Sequence, residues 1–591
     1  MSWRERYPDR LEYELQDFVD RGLRFAVDES ESARTGRLVL RGHIDWRGED
    51  VELIVVYPEF FPFFRPEVFA PGLQRSRHIN PVEGNLCLLD RATKAWNTGD
   101  TGAWLVDCRV PKLLGLLDGD PETMRAGEAP QGEPASVYLP REVATFVLVP
   151  EPALTLPADA QRGYLTVRLA PGEAGSRLGA TRWPAIRALL ETVQAEGHRG
   201  AVLAVADEHL RRRYSGQSVE GRWVRFAEPP VAKSADELAA FAQERWRGAP
   251  RISGARMGQC ELSVVGVVYP EEVGQGVNEL AWTFIVQAGA GSSARHPRRG
   301  APRPERATYL VRGERYSLRD LRDRIPATAR LECRTVALAG LGSLGAPLAL
   351  ELARAQLGNL RVLDCDVVEA STTVRWALGL AAVAQPKASL LAGWLPREYP
   401  YVSVEAFDAR LGEATLREGG DESEQQLLDR FVGGADVVVD ATAEFGVGHL
   451  LGWLTHERRM PLLLVSATEG GWGGRVVRLL PGVTGCWFCL QTAIMASNAL
   501  APPAEPNGTV QPRGCATRTF TGAGFDLTPV VAQAARVLVQ TLRQGSDSDR
   551  LWPPVHVMAL HAGDEALPVP RWTSHPLRPN PECELCAGAG Q

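Results

Sequence analysis

The spacing of apolar residues changes along the first part of the chain. Near the start it follows the period of an amphipathic helix, at Leu11, Leu15, Phe18, Val19 and Leu23. Two apolar runs follow, RLVLRGHI (37–44) and VELIVVYP (51–58), and both are typical of strands. This order predicts a small α+β domain in which a helix precedes an antiparallel meander.

Between residues 137 and 287 the pattern alternates between strand-like and helix-like segments. The runs TFVLVP (145–150), GAVLAVA (200–206) and LSVVGVVYP (262–270) predict strands. The segments WPAIRALLETVQAEG (183–197) and ADELAAFAQERW (235–246) predict helices. We expect a linking α/β domain, and its residues indicate no catalytic role.

Two segments rich in Pro, Gly and charged residues, 118–136 and 288–306, are typical of linkers. They divide the chain into three expected domains, 1–120, 137–287 and 307–591. The hydrophobic fraction of 45% is ordinary for a globular protein, and the net charge of −7 over 591 residues disfavours a general nucleic-acid binder. The sequence predicts neither a membrane span nor a secretion signal, so a cytoplasmic protein is expected.

The third domain contains a nucleotide-binding pattern. In TVALAGLGSLGAPLALELARAQLGNLRVLDCD, a strand leads into Gly340, Gly342 and Gly345, then a helix and a second strand that ends at Asp364. The glycines allow a tight turn, close approach of phosphates and helix–strand packing, while Asp364 can hold ribose hydroxyls. This predicts a Rossmann-like domain with a mostly parallel sheet.

Two cations follow this pattern, Arg375 in STTVRW and Lys387 in AQPKAS. Positive charge suits a triphosphate that is attacked at its α-phosphorus, where negative charge develops. A dinucleotide-dependent oxidoreductase needs less positive charge there, so the cations favour ATP.

Cysteines form two C-x-x-C pairs, Cys486 with Cys489 and Cys583 with Cys586. Four thiolates in this pattern predict a structural Zn²⁺ site, which leaves no open coordination position. Cys515 lies outside both pairs, between Arg513 and Arg518, which would stabilise a nucleophilic thiolate.

Together these motifs resemble the ubiquitin-activating superfamily of ThiF-type adenylyltransferases. The matching residues are the glycine loop, Asp364, Asp366, Arg375, Lys387, Asp440, Thr442 and the two cysteine pairs. The resemblance implies adenylation with ATP and Mg²⁺, a thioester on Cys515 and a homodimer.

The chain departs from this family at two positions. Thr372 stands where the family usually has Asn, and Ala443 stands where the sulfur-carrier enzymes have an acid that helps to hold Mg²⁺. Asp440 or Glu444 could replace that acid. The family often adds an upstream arginine from the partner subunit, and the sequence leaves open whether it is Arg319, Arg322 or Arg324.

The segment RHINPVEGNLCLLD (77–90) resembles the active-site region of ubiquitin-conjugating domains. His78-Ile79-Asn80 corresponds to H-P-N, Gly84 provides a turn, and Cys87 and Trp96 follow at close to family spacing. The resemblance implies that Cys87 accepts a thioester. Asn80 would stabilise the oxyanion formed during amine attack, or else cap the turn.

The combination resembles bacterial fusions of conjugating and activating domains, notably those of cyclic-oligonucleotide (CBASS) antiphage operons. It implies activation of a protein's C-terminal carboxylate, on a cyclic-nucleotide synthase or a ubiquitin-like protein, and ligation to a target amine. Two alternatives stay open: a sulfur-carrier adenylyltransferase, and an activating enzyme whose N-terminal domain only docks a ubiquitin-like protein.

Overall fold

The structure is a computed structural model in two compact units, Met1–Tyr316 and Ser317–Gln591. It describes residues 3–73, 78–80, 83–89, 96–117, 132, 134–137, 139, 145–170, 187–196, 200–232, 234–246, 255–257, 260–274, 276–290, 307–412, 423–511, 519–543 and 552–587. Most of both expected linkers, 118–136 and 288–306, lies outside these residues. The three-domain division stays a prediction.

The first unit begins with helices and a four-stranded antiparallel sheet in the order β1-β2-β3-β4. The strands are β1 Arg24–Val27, β2 Val39–Trp46, β3 Glu49–Val56 and β4 Glu67–Phe69. The helices are α1 Trp3–Arg6, α2 Pro8–Asp20, α3 Glu29–Thr35, α4 Gly102–Trp104 and α5 Val110–Leu117, with a π-helical segment at Leu105–Arg109. The predicted first helix and the first two predicted strands are confirmed.

A buried carboxylate joins α2 to the start of α4. Glu14 Oε2 accepts hydrogen bonds from Tyr57 Oη and from the Gly102 backbone N–H, each at 2.9 Å. Its other oxygen lies 2.7 Å from an Arg10 guanidinium nitrogen. Burial raises the pKa of Glu14 above its usual value, because removal from water disfavours the ionised form.

The rest of the first unit is a nine-stranded mixed sheet, in which seven strands form a closed ring because β9 pairs with both β6 and β11. Its strands are β5 Phe146–Pro150, β6 Arg162–Leu169, β7 Arg187–Ala195, β8 Val202–Val205, β9 Ser218–Arg225, β10 Ala255–Met257, β11 Cys260–Gly274, β12 Val277–Ala290 and β13 Ala307–Tyr316. Its helices are α6 Glu208–Arg213 and α7 Ala235–Arg245, with 3₁₀ turns at Ala135–Val137 and Glu151–Leu154.

One predicted helix in this part is wrong. Segment 183–197 contains β7, which pairs with β5, β6 and β8. Leu190 belongs to the main core of the sheet, whereas Leu189 packs against Leu210 of α6. Both faces of the strand are therefore covered, and this burial outweighs the helix preference of its residues.

The second unit contains an eight-stranded sheet in the order β16-β15-β14-β17-β18-β19-β22-β23. Its first five strands in this order are parallel, and the remaining pairings are antiparallel. The strands are β14 Thr335–Ala339, β15 Asn359–Leu363, β16 Ser403–Phe407, β17 Val437–Asp440, β18 Leu462–Ala467, β19 Gly473–Leu479, β22 Val555–Ala562 and β23 Glu565–His575, and a separate pair is β20 Thr509–Val510 with β21 Thr519–Phe520. This confirms the predicted Rossmann-like domain.

Helices of the second unit connect and cover these strands. They are α8 Leu318–Arg322, α9 Gly345–Arg354, α10 Lys387–Glu398, α11 Glu424–Val432, α12 Phe445–Glu457, α13 Trp487–Ala496, α14 Gly524–Leu542 and α15 Glu584–Ala587. Short 3₁₀ turns lie at Pro326–Thr328, Leu331–Cys333, Ala370–Val374, Leu380–Ala382, Glu469–Gly471 and Asn498–Leu500.

The strand order of the second unit reverses between β14 and β17. From β14 the chain adds β15 and β16 on one side, and then β17 and β18 on the other. In open parallel sheets, ligands bind at the carboxyl ends of the strands where the order reverses.

Among the residues that the structure describes, no helix is both long and apolar enough to cross a membrane.

Candidate active site

The glycine loop lies at the reversal point, between β14 and α9. Gly340 has a φ of 84°, and a Cβ there would lie 2.6 Å from the Thr442 backbone nitrogen. A Cβ on Gly345 would lie 1.8 Å from the Gly340 carbonyl oxygen. A Cβ on Gly342 would meet no protein atom within 4 Å. The first and third glycines are thus required by the fold, whereas Gly342 leaves room for a phosphate beside the backbone.

Asp364 and Lys387 meet beside this loop. Asp364 Oδ2 accepts a hydrogen bond from the Leu341 N–H at 2.6 Å. Lys387 Nζ lies 2.8 Å from Asp366 Oδ2 and 3.8 Å from Asp364 Oδ1. The Lys387 side chain is 12% exposed and the Asp366 side chain is 65% exposed. The structure therefore brings three predicted residues together next to the glycine loop.

Arg375 contacts the segment that precedes α14. Its guanidinium donates to the carbonyls of Phe520, at 2.8 Å, and Gly522, at 3.4 Å, and lies 4.3 Å from the centre of the Phe520 ring. Burial lowers the pKa of this arginine. Its predicted contact with a nucleotide stays a prediction, because the guanidinium is held here by 519–522.

Asp440 ends β17 next to Gly340. It is 8% exposed, and its Oδ1 accepts hydrogen bonds from the Thr442 N–H at 3.0 Å and hydroxyl at 2.7 Å. Burial raises the pKa of its carboxyl. Ala443 has a φ of 59°, a region where Asp and Asn are enriched, and Glu444 is exposed. The choice between Asp440 and Glu444 as a Mg²⁺ ligand stays open.

The three upstream arginines lie in α8 or directly after it. Arg322 forms an ion pair with Glu332 at 2.6 Å, whereas Arg324 follows the helix and is exposed. Arg319 lies within the helix. Which of them contacts a nucleotide stays open.

The two cysteine pairs come together. Cys486 Sγ lies 3.8 Å from Cys489 Sγ and 3.5 Å from Cys583 Sγ, and Cys489 lies 3.6 Å from Cys586. A tetrahedral site with Zn–S bonds of about 2.3 Å has S–S edges of about 3.8 Å. The Asn580 N–H also donates to Cys489 Sγ at 3.2 Å. Four thiols at these separations fit Zn²⁺.

Cys87 and Asn80 lie on one short hairpin in the first unit. The Cys87 N–H donates to the His78 carbonyl, and the Asn80 N–H donates to the Asn85 carbonyl. Leu86, paired with Ile79, is 1% exposed. Cys87 is partly exposed, and the Leu88 N–H donates to the Leu86 carbonyl across it, so the chain turns at the cysteine. Asn80 Oδ1 accepts from the Glu83 N–H at 3.1 Å, so Asn80 caps the turn.

Cys515, the other predicted nucleophile, lies outside the described residues, within 512–518.

The sequence did not predict one contact near the site. Trp487, directly after Cys486, packs against Gly448 and Gly452 of α12. The four-residue spacing of these glycines was the available signal.

The ThiF family matches residues 319–568 of the chain. The chain is 29% identical over 280 residues to the SAMP-activating enzyme E1 of Haloferax volcanii, which covers 47% of this chain and 90% of that enzyme. The C-terminal part is thus an E1-like adenylyltransferase domain, the class that activates a carboxylate with ATP.

Two uncharacterized proteins of Sinorhizobium fredii are similar over almost their whole length. Protein y4oA is 30% identical over 614 residues, covering 100% of this chain and 98% of y4oA. Protein y4qC is 31% identical over 600 residues, covering 95% of this chain and 94% of y4qC. The chain belongs to the family of these full-length proteins.

Proposed function

We propose that this protein activates the C-terminal carboxylate of another protein with ATP and transfers it, through two cysteines, to an amine. The observation that carries the first step is the cluster at the sheet reversal, where Asp364, Asp366 and Lys387 meet beside Leu341 of the glycine loop. Lys387 would stabilise the negative charge that develops at the α-phosphorus. Asp364 would hold the ribose, and Asp366 would orient Lys387.

In the adenylation step, a carboxylate oxygen attacks the α-phosphorus of ATP and pyrophosphate leaves. The product is an acyl-adenylate, a mixed anhydride that is reactive toward thiolates. Asp440 or Glu444 would bind Mg²⁺, which neutralises phosphate charge when bound. The four-cysteine cluster, defined as Cys486, Cys489, Cys583 and Cys586, would hold a structural Zn²⁺ without taking part in the reaction.

The transfer steps use thiolates in turn. The Cys515 thiolate attacks the acyl carbon and AMP leaves, which forms a thioester. The Cys87 thiolate then attacks this thioester and the Cys515 thiolate leaves. Finally a neutral amine attacks the Cys87 thioester, loses a proton and releases the Cys87 thiolate. The hydrogen bond from Cys87 N–H to the His78 carbonyl, at 2.8 Å, supports this role because it fixes the hairpin that carries the cysteine.

Asn80 would act at the last step. Its Oδ1 caps the hairpin turn at the Glu83 N–H, and an Asn side chain has amide donors in addition to its acceptor oxygen. Turn capping and oxyanion stabilisation are therefore compatible in one side chain, and Ile79 in place of proline removes no catalytic group.

The biological setting is part of the same proposal. The carboxylate donor would be a cyclic-nucleotide synthase or a ubiquitin-like protein, and the reaction would serve antiphage defence in the cytoplasm. The chain would act as a homodimer through its adenylation domain. The domain at 137–287 would link the two catalytic domains.

To test the proposal, the full chain is incubated with ATP and purified proteins encoded by neighbouring genes. The products are then separated on gels with and without a reducing thiol. We expect a thiol-sensitive adduct that is lost in Cys515→Ala. In Cys87→Ala, the adduct should form but no thiol-resistant conjugate should appear. Cys333→Ala, at an exposed cysteine, is the matched control. Normal conjugation by Cys87→Ala would contradict the transfer step.

A further inference from the structure

Trp487 links the four-cysteine cluster to helix α12. It directly follows Cys486 and is 4% exposed. The centre of its ring lies 4.9 Å from that of Phe445 and 4.8 Å from that of His449, both in the first turns of α12. One buried side chain therefore connects a cysteine of the cluster to the start of this helix.

Helix α12 approaches Trp487 through two glycines. A Cβ on Gly452 would lie 2.5 Å from Trp487 Cβ. A Cβ on Gly448 would lie 3.1 Å from Trp487 Nε1 and also 3.1 Å from Asp440 Oδ2. Gly448 is thus the point where the indole and the Asp440 carboxyl meet, and the packing leaves no room for a methyl group without displacement.

Asp440 continues this contact to the glycine loop. The Asp440 carboxyl holds Thr442 through two hydrogen bonds. The Ala441–Thr442 peptide lies against Gly340, where a Cβ would be 2.6 Å from Ala441 C and from Thr442 N. Because interiors are close-packed, a shift at the start of α12 displaces this turn and the glycine loop with it.

We propose that Trp487 and Gly448 are positioning residues for the nucleotide site. The four-cysteine cluster fixes Trp487, and Trp487 keeps α12, the 440–442 turn and the glycine loop in register. This inference rests on the proposed adenylation function and gives the cluster a second effect, on nucleotide affinity. Trp487 and Gly448 act through Asp440 and Gly340 and do not themselves touch the nucleotide.

Two matched pairs of full-length variants test the inference. Gly448→Ala is compared with Gly446→Ala in the same helix, where a Cβ would have no neighbour within 4 Å. Trp487→Phe is compared with Trp453→Phe, at a residue that is 46% exposed. The measurements are the Kd for ATP, KM and kcat in ATP–pyrophosphate exchange, metal content and melting temperature.

We expect Gly448→Ala and Trp487→Phe to raise the Kd and the KM for ATP about three- to tenfold, within the range by which substitutions between two coupled sites change affinity. Their kcat should stay within about twofold and their metal content should equal that of the wild type. The two control variants should keep wild-type values.

A lower melting temperature with an unchanged Kd for ATP in both test variants would overturn the inference, because it would make this packing purely structural. Trp487→Phe removes only part of a side chain, so it provides the test if Gly448→Ala does not fold. Failure of the proposed function looks different, since the wild-type protein would then neither bind ATP nor catalyse exchange.

Discussion

The substitution Gly342→Ala separates nucleotide binding from folding at the proposed site. A Cβ at this position has no protein atom within 4 Å, and the backbone is not in the left-handed region. Alanine also restricts the unfolded chain, so we expect the variant to be more stable by about 0.4–1 kcal/mol. The same methyl group would occupy the space that a phosphate needs.

The expected effect on affinity follows from the contact that is lost. A hydrogen bond between a backbone N–H and a charged phosphate contributes about 1.5–3 kcal/mol. Its loss raises the Kd for ATP about ten- to hundredfold. Gly345→Ala should behave differently, because its Cβ would lie 1.8 Å from the Gly340 carbonyl oxygen, and both stability and affinity should fall.

The assay combines thermal melting with equilibrium binding of labelled ATP. Gly393→Ala, in α10 with no neighbour within 4 Å of its Cβ, is the control for the gain in stability. We expect Gly342→Ala to melt at or above the wild-type temperature and to bind ATP weakly. Wild-type affinity in Gly342→Ala would refute the placement of phosphates at this loop.

Three further outcomes are expected. Cys583→Ser should contain no zinc when measured by elemental analysis, and it should melt at a lower temperature than the wild type. Cys333→Ser, at an exposed cysteine, should keep the wild-type values. Zinc retained by Cys583→Ser would contradict the proposed zinc site. Ala443→Asp should lower the Mg²⁺ concentration for half-maximal pyrophosphate exchange, and an unchanged requirement would argue against a metal at this turn. Because burial raises the pKa of Glu14, the folded protein binds the Glu14 proton more tightly than the unfolded chain does. This contribution to the free energy of unfolding is fully present below the ordinary glutamate pKa and is lost as pH rises through the raised pKa. The melting temperature of Glu14→Gln should therefore rise relative to the wild type as pH increases above the ordinary glutamate pKa of about 4.3, and a constant difference would contradict this.

Sequence predicts the second unit well because its signals are local. The apolar run before Gly340 and the acid after the next strand lie within one strand–helix–strand segment, and their order fixes the Rossmann-like arrangement. The four-cysteine cluster was predictable in the same way, since each pair has its own C-x-x-C spacing.

Contacts between residues that are distant in sequence were harder to predict. In β7, residues such as Leu189, Glu191 and Gln194 favour a helix, and strand pairing with β5, β6 and β8 outweighs that preference. The contact between Trp487 and Gly448 joins residues that are distant in sequence, and only the folded sheet brings them together. The hydrogen bonds of Arg375 are long-range in the same way, because the carbonyls that accept them, in 519–522, follow much later in the chain.

The most direct test of the account is ATP–pyrophosphate exchange by the full-length protein. The carboxylate donors are purified proteins encoded by neighbouring genes, and the same proteins with a C-terminal histidine extension are the control. We predict that exchange needs the native C-terminus of the donor. It should fall more than about a hundredfold in Lys387→Ala and persist in the control Lys112→Ala. It should also persist in Cys515→Ala and Cys87→Ala, because adenylation precedes thioester formation. Exchange that survives Lys387→Ala, or that never depends on a protein carboxylate, would contradict the account.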